Sequence, residues 1–262
     1  MNMRNNHLVS IIMNCHNGEK YLEQSLKSII SQTYYNWELI FWDNLSTDKS
    51  KVIVESFKDK RIKYFSSEKF LKLYEARNQA IKKAEGKYIS FLDTDDYWLE
   101  DKLEKQINFK RKNEKYKVIY SNYYILNESK ARKRIRSNFL PSGFITKHLL
   151  ENYVLGIVSI LLEKKIFDNN SFNKDLEIIG DFDFFINLSK KYEFGCVNEP
   201  LAVYRWHNEN YSKKKIDKYA FEISSWLKQN NDKLKSEGFK TFNLKLFFYK
   251  LKIKSFMNFL GM

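Results

Sequence analysis

The first hundred residues alternate between two hydrophobic patterns. Continuous apolar runs occur at 8–14 (LVSIIMN), 37–42 (WELIFW), 61–65 (RIKYF) and 87–92 (KYISFL), as expected of strands covered on both faces in a parallel sheet. Between them the apolar positions fall at helical spacing. Asn17-Gly18 offers a turn, after which Tyr21, Leu22, Ser25, Leu26 and Ile29 share one face. Ser46, Thr47 and Asp48 can cap a helix over 48–58, and Leu73 to Ala84 reads as another ending near Gly86. Further helices are expected over 97–113 and 181–190, with a strand-like apolar run, VLGIVSILL, at 154–162. This rhythm predicts an α/β fold with a mostly parallel, doubly wound sheet flanked by helices. Such sheets bind ligands outside the carboxyl ends of their strands. The polar residues there, Asn14 to Asn17, Asp43-Asn44 and Asp93 to Asp96, should therefore meet in one crevice.

Composition narrows the class. Of 262 residues 43% are hydrophobic and 16% aromatic, enough to build a full core and to exclude wholesale disorder. Eight Gly and two Pro exclude collagen-like and low-complexity chains and speak against a turn-dense β-sandwich. The two cysteines, Cys15 and Cys196, fit a reducing cytoplasm better than a disulfide scaffold. The start of the chain lacks a signal-peptide pattern, and the longest later apolar run, 154–162, is about half the ~20 residues of a membrane helix. The expectation is a cytoplasmic protein, soluble or peripheral at the inner face of the cell membrane.

A net charge of +14 first suggests nucleic acid or an anionic surface. Its placement changes that picture. Residues 110–136 and 211–262 each carry +8, leaving the remainder at −2. A nucleic-acid-binding protein would explain the blocks and the aromatics but not the acids at 93–96 and 181, which repel a phosphate backbone. No zinc spacing or RNA-recognition signature is present. Three carboxylates within Asp93-Thr94-Asp95-Asp96 invite a divalent cation, Mg²⁺ or Mn²⁺, which takes one or two protein carboxylates plus substrate phosphates. Read alone, they equally suit a solvated turn capping the next helix. Neither a P-loop nor a G-x-G-x-x-G stretch occurs. A metal-dependent nucleotidyltransferase or phosphohydrolase stays open at this point.

Five motifs in order give a resemblance. The run VSIIMNCHNGEKYLEQSLKSIISQTYYNWELIFWDNLSTDKS, then YEARNQAI at 74–81, FLDTDD at 91–96, FNKDLEIIGDFDFFINLSKK at 172–191 and YRWHNENYS at 204–212 resemble family 2 glycosyltransferases of GT-A fold, the type found in bacterial surface-polysaccharide synthesis. The resemblance covers about 8–212. It implies a Rossmann-like catalytic domain over 1–212, with a donor half to about 98 and an acceptor half over 99–212, followed by a basic helical extension over 213–262. It also implies a hexosyltransferase-like enzyme moving a sugar from a UDP- or dTDP-sugar to a saccharide or lipid-linked saccharide, with inversion and a divalent metal, in O-antigen, capsule or exopolysaccharide synthesis.

Roles follow from the resemblance. Asp43 matches the carboxylate that accepts from the N3–H of uracil or thymine, an acceptor-only group facing an imide donor. Asn14 and His16 match positions flanking the base, and Arg77 the arginine near the nucleotide and its diphosphate. Asp93, Thr94 and Asp95 match the DxD motif, Asp93 toward the ribose and Asp95 on the metal, with Asp96 assisting or capping the next helix. Asp181 stands where the family's general base stands, beside a structural acid, Asp183. Two acids at a helix N-terminus are also what the helix dipole favours. His207 matches a late histidine that ligates the metal or touches the diphosphate; as a residue type alone it suits a surface loop.

The sequence departs from the common pattern at Asn44-Leu45, where the family often has Asp-Gly, and at Gly180, where it often has Glu before the base. No Q-x-x-R-W run or set of membrane helices follows, against a processive synthase. From Thr241 to Met262 there is no acid, whereas Lys245, Lys250, Lys252 and Lys254 flank an apolar stripe of Phe242, Leu246, Tyr249, Ile253, Phe256 and Leu260. Such a helix suits an anionic membrane surface, or packing on the catalytic domain or a partner subunit. Partners expected are the nucleotide-sugar, the acceptor and that membrane surface rather than nucleic acid, with a homo-oligomer left open.

Overall fold

The computed structural model describes residues 7–259. Its first part alternates as the pattern predicts: β1 (Val9–Cys15), α1 (Glu19–Ile30), β2 (Trp37–Asp43), α2 (Ser50–Ser56), β3 (Ile62–Ser66), α3 (Leu73–Lys82) and β4 (Tyr88–Phe91). These strands are parallel, in the order β3-β2-β1-β4. Successive residues of β1 face opposite layers. Val9, Ile11 and Met13 pack with Leu22, Leu26 and Ile29 of α1, while Ile12 packs with Ala80 and Ile81 of α3. Burial on both faces is why the strand reads as an unbroken apolar run.

The chain after β4 continues the same sheet with mixed directions. It comprises β5 (Tyr97–Trp98), α4 (Lys102–Lys112), β6 (Val118–Asn127), β7 (Arg132–Ile135), α5 (Thr146–Glu151), β8 (Ile160–Glu163), α6 (Gly180–Ser189) and β9 (Phe194–Trp206). Beyond β4 the order is β8-β6-β9-β5, with β7 hydrogen-bonded to β6. β8 runs antiparallel to β4 and β6, and β9 runs parallel to β6.

Three local expectations are corrected. Residues 97–113 are not one helix: Tyr97 and Trp98 pair with Val203 and Ala202, and helix begins at Lys102. The buried Trp98 indole donates to the Val158 carbonyl at 2.9 Å, fixing the chain as a strand there. Asp96 consequently caps no helix. In 154–162 only the end is strand, because residues 157–159 form a 3-10 turn; an apolar run reports burial and leaves the backbone geometry undecided.

The C-terminal helices α7 (Tyr211–Lys214), α8 (Ile216–Ser236) and α9 (Phe242–Phe259) pack on the catalytic body. The Trp226 indole donates to Asp183 at 2.8 Å, joining α8 to α6. Gly238, at a positive φ of 84°, turns the chain from α8 into α9. The stripe expected to define α9 faces solvent. The packed side is a second stripe in which Leu244 and Leu251 are buried and Phe248 half-buried. Leu260 lies outside the described residues. Among the described residues no helix is long and apolar enough to cross a membrane.

Candidate active site

The parallel strands end on one cavity of about 1070 Å³. Asn14, His16 and Asn17 enter it after β1, Asn44 after β2, and Asp93 to Asp96 after β4; Asp181 faces them from the start of α6. Two backbone features bring these turns together. Asn17 has a φ of 57°, a conformation Asn tolerates better than most residues. At Gly18 an added Cβ would stand 3.0 Å from both Cys15 Sγ and Thr94 Oγ1, so glycine lets the β1 and β4 turns touch.

Each acid of 93–96 has a different partner. Arg77 is buried and donates from Nη2 to Asp93 Oδ1 at 2.8 Å, with the rings of Tyr74, Phe91 and Phe172 within 5.6 Å of its guanidinium. Desolvation raises the Asp93 pKa, Arg77 opposes that, and the Asp95 charge adds to it. Asp96 is buried, and burial together with its acidic neighbours holds its carboxyl well above the usual range. It accepts from the Arg205 backbone N–H at 2.8 Å. Arg205 also binds the Asp95 carbonyl at 2.7 Å and Glu128 at 3.1 Å, bracing the turn.

Asp95 faces His207. The Glu209 N–H donates to His207 Nδ1 at 3.1 Å, which places the ring proton on Nε2. That nitrogen lies 2.9 Å from Asp95 Oδ2, and the Asn210 amide reaches the same oxygen at 3.4 Å. Among the described residues no group of three or more His, Cys, Asp or Glu is arranged to hold a metal. Asp95 would give a hard divalent ion one carboxylate, water and substrate phosphate oxygens completing the shell, while the imidazole of His207 suits a softer transition ion better than Mg²⁺. As a metal ligand, His207 would first have to give up its Nε2 proton.

Asp181 lies in the first turn of α6. Its Oδ1 accepts from the Phe182 N–H at 2.8 Å and lies 3.3 Å from the Tyr74 hydroxyl, whose shorter bond is to the Ile178 carbonyl at 2.9 Å. Desolvation raises its pKa above the ordinary 3.8, with those hydrogen bonds and Arg77 opposing. The Gly180 departure has a steric cause: a Cβ there would lie 2.4–2.7 Å from the Tyr74 ring. The ring thus takes the space a Glu side chain would need. Loss of that acid does not leave Asp181 unperturbed, because burial alone raises it.

The buried Glu222 of α8 accepts from the backbone N–H groups of Glu177, Ile178 and Ile179 at 2.8, 3.0 and 3.1 Å. It holds the segment leading into Asp181. Both polar atoms of the Asn14 side chain are buried with no hydrogen-bond partner in the described structure, so the residue is poised for a ligand. His16 contacts the exposed Phe70 edge-on at 4.9 Å between centroids, making an aromatic rim.

Asp43 ends β2 beside Asn44 and is not among the residues lining the cavity. It is buried, its Oδ1 accepting from the Ser46 N–H at 2.8 Å and its Oδ2 from the Tyr64 hydroxyl at 2.5 Å, and it holds the turn after β2. Asp183 likewise serves the framework through Trp226 and Asn187. Pattern reasoning missed Phe70, Tyr74, Arg205 and Glu222. Only Gly180, where a bulkier residue is common, hinted at the Tyr74 contact.

Comparison with known proteins bears on the family and the fold. Residues 10–174 match the model of glycosyl transferase family 2. The Escherichia coli UDP-Glc:alpha-D-GlcNAc-diphosphoundecaprenol beta-1,3-glucosyltransferase WfgD is 38% identical over 167 residues, spanning 63% of this chain and 64% of that protein. Among solved structures, S. aureus TarS 1-349 in complex with UDP superposes with a TM-score of 0.65 at 22% identity, covering 82% of this chain and 65% of that one. The mannosyltransferase PcManGT from Pyrobaculum calidifontis, solved with GDP-Man and Mn2+, gives 0.66 at 15%, covering 87% and 65%. At these identities the structures speak for the fold. The chain spans just under two thirds of WfgD and of TarS 1-349; it has the GT-A fold and belongs to glycosyl transferase family 2.

Proposed function

We propose that the chain transfers one sugar from a UDP-sugar to a saccharide carried on a lipid diphosphate, with inversion, during cell-surface polysaccharide synthesis. The observation that carries this reading is the placement of Asp181 across one cavity from the strand-end cluster of Asn14, His16, Arg77 and Asp93 to Asp95. WfgD, by its name, uses a UDP-sugar and such an acceptor.

In this reading the base lies between Asn14 and the His16–Phe70 rim, the ribose against Asp93, and the diphosphate toward Arg77, Asp95 and His207. A divalent ion on Asp95 and His207 would supply charge neutralisation for the departing diphosphate. The acceptor hydroxyl oxygen forms the new bond to the anomeric carbon as the bond from that carbon to the diphosphate oxygen breaks. Asp181 takes the hydroxyl proton. UDP leaves with the electron pair of the broken bond. A peripheral position at the cytoplasmic membrane face follows from a lipid-borne acceptor.

Thermal shift separates this from a nucleic-acid-binding or phosphohydrolase reading. UDP with Mn²⁺ is expected to stabilise the protein, oligonucleotide much less, and a nucleotide-release assay with UDP-glucose should show turnover only with acceptor present. Stabilisation by oligonucleotide alone would overturn the proposal, as would acceptor-independent phosphate release.

A further inference from the structure

The helix α9 has two apolar faces, and only one is used by the protein. Leu244 and Leu251 are buried against the body, with Phe248 and Ser255 half-buried between α8 and α9. The Tyr219 and Phe247 rings meet edge-on at 5.7 Å. Half a turn away on the helix, Phe242, Tyr249, Ile253 and Phe256 stand 66%, 60%, 61% and 61% exposed, with Leu246 in line. Phe221 of α8, 70% exposed, shares a shallow groove with Phe256 and widens the patch.

Charge brackets this outer face. At 3.6 residues per turn, Lys245 and Lys252 lie along one edge and Lys250 and Lys254 along the other. No acid occurs from residue 241 onward, and 211–262 carries +8. An apolar stripe between two lysine rows fits an interface where hydrocarbon lies below and anionic headgroups lie to either side. The same rows argue against a second copy of the chain, because pairing two such faces would bring like charges together.

We infer that the outer face of α9 is a docking surface for an anionic lipid bilayer. The first two turns of α9 give Asn243, Leu244 and Phe247 to the wall of the cavity. Docking therefore holds the cavity beside the membrane. The purpose of this surface rests on the lipid-linked acceptor reading, but its binding is measured without turnover, so the two fail separately.

The test is co-sedimentation of the full chain with vesicles of phosphatidylcholine alone or mixed equally with phosphatidylglycerol. Wild-type protein should sediment with the mixed vesicles only, and less so at high salt. The double variant Lys250→Gln with Lys254→Gln should partition roughly 30-fold more weakly, taking the usual contribution of a lysine near an anionic surface. Ile253→Glu with Phe256→Glu should abolish sedimentation while its melting temperature and UDP-induced stabilisation stay at wild-type values. Val52→Glu, an exposed apolar position on α2, should bind vesicles as wild type does. Wild-type protein left in the supernatant with mixed vesicles would overturn the inference. So would equal sedimentation of the Ile253/Phe256 variant, or a wild-type dimer by light scattering that this variant converts to monomer.

Discussion

At the proposed donor end of the cavity His16 and Asp93 to Asp96 sit on the turns that follow β1 and β4, the second braced by Arg205, while at the proposed acceptor end the single carboxylate of Asp181 is held by contacts between distant segments. His16 and Asp95 are carried by their own strands' ends. Asp181 instead depends on Tyr74 of α3, more than a hundred residues away, and on a loop fastened by Glu222 of α8. Each end keeps one buried polar group without a hydrogen-bond partner in the described structure, the Asn14 side chain at the first and the Tyr153 hydroxyl, packed on Phe182, at the second. Remote packing therefore aims the one carboxylate of Asp181.

Substitutions can break that contrast. The largest stability loss is expected from Arg77→Met, which leaves Asp93 without its cation beside three aromatic rings; about 3 kcal/mol by urea unfolding is expected, with UDP stabilisation lost as well. Wild-type stability there would mean that the pair contributes nothing. Glu222→Ala removes one acceptor from three backbone N–H groups and should cost about 2 kcal/mol. Kinetically, kcat should fall while the donor KM holds; a change confined to donor KM would place the effect at the wrong end. Gly180→Ala forces the Tyr74 ring aside, for about 1–2 kcal/mol. Combined with Tyr74→Leu it should cost less than the two changes summed, and strict additivity would show that no steric contact was relieved. Asn14→Leu should leave stability within about 0.5 kcal/mol of wild type yet weaken UDP binding about tenfold, as calorimetry can show. A marked stability loss with unchanged affinity would make Asn14 structural.

The same contrast explains what the sequence makes legible. β1, β2 and β4 are apolar on both faces, so their positions, their parallel pairing and the polar residues at their ends follow from a local pattern. Asp43 follows that pattern too, and what the pattern does not show is the Tyr64 hydroxyl of the neighbouring strand bonded to its carboxylate. Tyr97-Trp98 misleads for a similar reason: pairing with β9 outweighs the helical spacing that follows. In α9 two apolar stripes coexist, and spacing alone leaves open which one packs. The acceptor end is hidden because Gly180, Tyr74 and Glu222 carry no motif until the fold brings them together.

Protonation gives a finer probe of Asp181. A base works when ionised, and desolvation raises its pKa above 3.8. Turnover should therefore fall as pH drops through that raised value, while UDP binding is lost less steeply. A flat acidic limb would exclude a carboxylate in the rate-determining step.

The central claim is that Asp181 performs the chemistry across the cavity from a separately built donor site. Its most direct test is Asp181→Asn, measured for UDP affinity by calorimetry and for sugar transfer by UDP release with acceptor. The account predicts affinity within about twofold of wild type and transfer reduced roughly 10²–10⁴-fold, the range for loss of a general base. Transfer at the wild-type rate would contradict it and place the base elsewhere.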